Sequence, residues 1–105
     1  MDVIAFCSLR ALRDLSRLLP AVHITHASSV REVMDLIAER QAPATVIVVP
    51  CEFEDDWPMV TLGDALSAAR AARTAGVPSV IVGDLCGYGA QHADSLGEAA
   101  ALAAQ

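Results

Sequence analysis

Short apolar runs alternate along this chain with longer stretches whose apolar residues recur every three or four positions. Val3–Cys7 (VIAFC) is the first run and reads as a buried strand. Leu12, Leu15, Leu18 and Leu19 follow at helical spacing, with Arg10, Arg13 and Arg17 on another face and Pro20 as the stop. Ala21–His26 (AVHITH) reads as a second strand. Ser29 and Glu32 then form the S-x-x-E signature of a helix start. Val30, Val33, Met34 and Ile37 predict the buried face of that helix, which ends near Arg40. Thr45–Val49 (TVIVV) is the most β-branched run and predicts a central strand. After an acidic loop, a cap at Thr61 opens a helix with Leu62, Ala65, Leu66, Ala69 and Ala72 inward, closed by Gly76 and Pro78. Ser79–Val82 (SVIV) is a fourth strand, Gly83–Asp94 reads as a glycine-bearing loop, and Ser95 with Glu98 caps a last, alanine-rich helix.

Strands alternating with helices predict one α/β domain over residues 1–105: a three-layer α/β/α sandwich around a parallel sheet, flavodoxin-like. The strand order expected at this size is 2-1-3-4 with four strands, extended to 2-1-3-4-5 if there is a fifth. A fifth strand within Leu85–Ala93 is opposed by the glycines and polar residues there. No internal repeat, linker or second domain is visible.

Composition narrows the function classes. The chain is 54% hydrophobic, so it can bury a core despite its size. Its formal net charge is -6, which argues against nucleic acid and against an anionic membrane surface. All seven basic residues are arginine, so the chain has no lysine. Three cysteines without CxxC spacing make a poor disulfide framework and point to a reducing, cytoplasmic setting. No run approaches the ~18 apolar residues of a membrane span, and the acidic N-terminus is unlike a signal peptide.

ASSVREVMDLIAERQAPATVIVVP and LGDALSAARAARTAGVPSVIVGD carry a resemblance to the response-regulator receiver domain. The likeness spans nearly the whole chain and implies the receiver-like sheet order. It also implies a phosphorylation site, and here this sequence departs from the pattern. The phosphoacceptor position falls at Pro50. The acid pair that would hold Mg²⁺ falls near Phe6, Cys7 and Ser8. The hydroxyl position falls at Gly83 or Asp84, and the lysine has no counterpart. Phosphoryl transfer depends on charge neutralisation by metal and lysine, and proline offers no nucleophile. The chain therefore resembles an atypical, or pseudo-, receiver, with no enzymatic activity and no cofactor expected. Such domains act as phosphorylation-independent dimerisation or docking modules. Some open larger proteins, including ATPases for pilus assembly and cell-pole or septum positioning. The last helix, SLGEAAALAAQ, has no stop signal, so the natural chain is expected to continue into an effector domain.

A second chemistry competes. The topology brings Cys7, Cys51 and Cys86 to the carboxyl edge of the sheet, with His26 at the same edge and Asp84 and His92 nearby. Three thiolates and an imidazole suit Zn²⁺. A thiolate at a helix N-terminus, as Cys7 is placed, would have a lowered pKa. The plainer reading of each cysteine is a small buried hydrophobe. The phosphocysteine and tyrosine-phosphatase loops fit poorly, because Ser8–Arg13 has no glycine and Arg13 stands one residue too far on. GDLCGYG fits no nucleotide fingerprint.

The remaining features concern surfaces. Glu52, Glu54, Asp55 and Asp56 read as a solvated acidic loop that could meet the stripe of Arg10, Arg13 and Arg17 in a self-contact. Trp57 is either an exposed anchor or a lid over the sheet edge, and Tyr88 is a further contact candidate. A fourth strand without a partner leaves an open edge, which a homodimer would cover.

Overall fold

The computed structural model describes residues 2–51, 57–83, 87 and 89–104. The chain runs β1 (Asp2–Phe6), α1 (Leu9–Leu18), β2 (His23–Ala27), α2 (Val30–Glu39) and β3 (Ala44–Val48). It continues through α3 (Leu62–Thr74), β4 (Ser79–Val82), β5 (Gln91–Ala93) and α4 (Leu96–Ala103). All strands are parallel in one sheet of order β2-β1-β3-β4-β5. Helices α1 and α4 cover one face through Val3, Ala5, Cys7, Ile47 and Val80. Helices α2 and α3 cover the other through Ile4, Phe6, Val46, Val48 and Ile81. This is the flavodoxin-like three-layer sandwich. Every residue of β3 is buried, as its β-branched run requires of a strand covered on both faces.

The fifth strand is present, where the glycines and polar residues argued for a loop. Gln91 and His92 of β5 are exposed and only Ala93 is buried, so the strand has no apolar run to reveal it. Its backbone pairing to Val80–Val82 makes it a strand. β4 is therefore not an uncovered edge, and that argument for a dimer loses its premise. The connection from β4 to β5 spans 83–90, short of the dozen or more residues of an ordinary parallel crossover. Gly87 within it lies against α3: a Cβ added there would stand 3.1 Å from Leu66 Cδ2.

Local signals explain the helix ends. Ser8, Ser29, Thr61 and Ser95 each accept a hydrogen bond from a backbone N–H in the first turn of their helix. α3 ends in a Schellman turn: Val77 N–H donates to Ala72 O at 2.8 Å and Gly76 N–H to Arg73 O at 3.0 Å. Gly76 sits at φ 72°, a conformation that favours glycine.

One seven-residue phrase does recur. His-Ala-x-Ser-x-x-Glu stands at 26–32 and again at 92–98, where each edge strand runs straight into its helix. Ser29 Oγ accepts from Glu32 N–H at 3.2 Å and Ser95 Oγ from Glu98 N–H at 3.1 Å. Each glutamate reaches back in turn, Glu32 to Ser28 N–H at 3.3 Å and Glu98 to Asp94 N–H at 3.2 Å. Ala27 and Ala93 are both fully buried beneath these turns.

Candidate functional site

The carboxyl ends of the parallel strands form one edge, where ligands bind in open α/β sheets. Phe6 pairs with Ala27 and Val48, Val48 with Ile81, and Val82 with Ala93, so the strands end nearly level. Cys7 and Ser8 leave β1 there, Pro50 follows β3 by two residues, and Gly83 follows β4. The structure thus brings Cys7, Ser8, Pro50, Gly83 and His26 to one edge. Asp84, Cys86, Tyr88 and the acids of 52–56 lie outside the described residues.

The residues at the acid-pair positions have structural work. Cys7 is fully buried and packs in the core beneath α1 and α4. Burial pushes its thiol up to about 12, the opposite of the lowered pKa expected from its place before a helix. The helix-end field acts on a group facing it, whereas this side chain points into apolar packing, where desolvation dominates. Ser8 is 4% exposed, and its Oγ accepts from Ala11 N–H at 3.2 Å as the α1 cap. His26 Nε2–H donates to the Cys7 carbonyl at 2.7 Å. From the other side Leu9 N–H donates to the Trp57 carbonyl at 2.8 Å. The turn from β1 into α1 is stitched to β2 and to the β3–α3 loop.

These contacts bear directly on the zinc alternative. Cys7 is turned into the core and the ring nitrogen of His26 is engaged with backbone. Cys51 lies in an antiparallel bridge with Val60, two hydrogen bonds of 2.8 Å between their backbones. Among the described residues no three His, Cys, Asp or Glu side chains come together as a metal-binding group. His92 pairs instead with Asp94 at 2.7 Å. The topology places Cys7, Cys51 and His26 at one edge, but the described residues there form no metal-binding group, and Cys86 lies outside them.

What the edge does present is apolar surface. Trp57 is 64% exposed, so it is no lid, while Pro58 beside it is buried. Leu9, Met59 and Leu62 are each about half exposed. Leu62 was expected inward by its spacing. It stands instead at the first position of α3, as Leu9 does in α1, where the Cβ tilts back over the helix end instead of onto the sheet. Arg10, Arg13 and Arg17 are exposed on α1. Leu18 and Met34, also expected inward, are exposed as well. Leu18 falls in the last turn of α1, and Met34 lies on the side of α2 that looks toward α3.

No helix among the described residues is long and apolar enough to cross a membrane. Comparison with family models, curated proteins and solved structures returns no match.

Proposed function

We propose that this chain is a receiver-like domain without phosphoryl chemistry, acting in the cytoplasm as a protein-interaction module. Its partner is a protein surface, a fused effector domain or a second copy of itself, and it needs no cofactor. The observation that carries this reading is the state of the carboxyl edge. Pro50 supplies no acceptor oxygen, Cys7 and Ser8 are committed to core and cap, and around them Leu9, Trp57, Met59 and Leu62 stand exposed. Exposed large apolar side chains grouped at one edge are the usual mark of an interaction site, and tryptophan is the side chain most enriched at hot spots.

Two measurements test it. Incubation with acetyl phosphate and Mg²⁺ should leave the mass unchanged; a stable phosphoryl adduct would overturn the reading. Sedimentation at tens of micromolar should show self-association that Trp57→Ala and Leu62→Asp weaken. A monomer at that concentration removes the second copy and leaves another protein surface or a fused effector domain as partner, whose binding the same two substitutions should weaken.

A further inference from the structure

A groove of about 530 Å³ runs between α2 and α3, away from the carboxyl-edge patch and sharing no lining residue with it. Val30, Met34, Ile37 and Ala38 form one wall, Ala71 and Ala75 the other, so its floor is apolar. Among the described residues Arg40 and Arg70 are its only charged liners, in a chain whose net charge is -6. Arg40 closes one end: its guanidinium donates to Ile37 O at 2.5 Å and to Ala75 O at 3.4 Å, tying the last turns of both helices together. No carboxylate of the described residues pairs with Arg40 or Arg70.

We infer that this groove docks an amphipathic helix of a protein partner, with carboxylates flanking its apolar stripe. Three features select that occupant. From Val30 to Arg40 the wall spans about 15 Å, the length of roughly three helical turns. Liners repeat every three to four residues on both helices, the spacing into which a third helix seats its i, i+3, i+4 and i+7 side chains. Met34 is 53% exposed at the centre of one wall, and methionine is the flexible, polarisable side chain that helix-binding grooves favour. The two arginines then choose among apolar helices by charge, accepting acidic flanks and repelling basic ones. The inference extends the interaction-module reading to a second surface, and the two surfaces are tested by different substitutions.

The probe is a synthetic amphipathic peptide of about 15 residues with leucines at helical spacing and flanking glutamates. Its counterpart carries lysine for each glutamate. Isotope-labelled protein titrated with the acidic peptide should show chemical-shift changes centred on Met34, Ala71 and Thr74. The lysine peptide should bind at least about tenfold weaker. Arg70→Glu, at an exposed position and with folding checked by far-UV circular dichroism, should abolish that preference. Equal affinity for the two peptides, or shifts elsewhere on the domain, would overturn the inference. So would self-association that protects Met34 and is lost in Met34→Glu, because the occupant would then be a second copy of this chain.

Discussion

Cys7 shows how far the direction of one side chain decides chemistry. Strand alternation sends Val3, Ala5 and Cys7 to one face, where α1 and α4 bury them. A thiol held near 12 in the fold and near 9.0 when unfolded binds its proton more tightly when native. Its contribution to stability is complete below the unfolded value. It is lost as pH rises toward the folded one, at a slope of about 1.4 kcal/mol per pH unit. Urea denaturation should therefore show wild type losing more stability than Cys7→Ala between about pH 8 and about pH 10. Equal losses would mean that Cys7 is not the source. Glu32 carries the opposite sign. Hydrogen bonds from Ser28 hold its carboxyl below the ordinary range, so its stabilising effect is present above that range and fades as pH falls through the lowered value. Glu32→Gln should flatten the acid limb of the stability curve.

Helix caps and helix footprints set the elements. Ser29 and Ser95 do the same job at the two edges of the sheet, so Ser29→Ala and Ser95→Ala should each cost about 1 kcal/mol. In a domain of this size that is a drop of about 4–8 °C in Tm. The buried face of α3 is Ala65, Ala68, Ala69 and Ala72, all without exposure, which lets the helix lie close on β3 and β4. Ala69→Leu should cost about 1–3 kcal/mol by overpacking, read from chemical denaturation. A smaller effect would show that the α3–sheet contact yields more readily than its burial implies.

For the molecule as a whole, the receiver-like reading proposed above predicts that phosphoryl chemistry is absent from the whole edge and not from one residue alone. On that reading, introducing an acceptor by itself should fail. Pro50→Asp would place a carboxylate at the strand end, yet the buried Cys7 and Ser8 offer no carboxylate to Mg²⁺ and the chain contains no lysine to bind a phosphoryl oxygen. Acetyl phosphate with Mg²⁺ should therefore leave Pro50→Asp unmodified by mass spectrometry. Uptake in that variant would mean that acids elsewhere at the edge can gather the metal.

The order of elements was legible in the residues because each signal is local. A β-branched run such as TVIVV, the Ser29–Glu32 and Ser95–Glu98 caps and the Gly76 stop act through neighbours a few positions away. Likewise the residue types on which the proposed reading rests, Cys7, Ser8 and Pro50 and the absence of lysine, needed no coordinates. What only tertiary structure decided were matters of pairing and direction. β5 exists because β4 offers its backbone, and its three residues carry no pattern of their own. Cys7, Cys51 and His26 share an edge yet form no metal-binding group among the described residues, where Cys7 is buried in the core and His26 donates to a carbonyl. Met34 and Leu62 follow helical spacing yet stay exposed. Periodicity says which side of a helix is apolar, while the neighbour it meets determines how much of that side is covered.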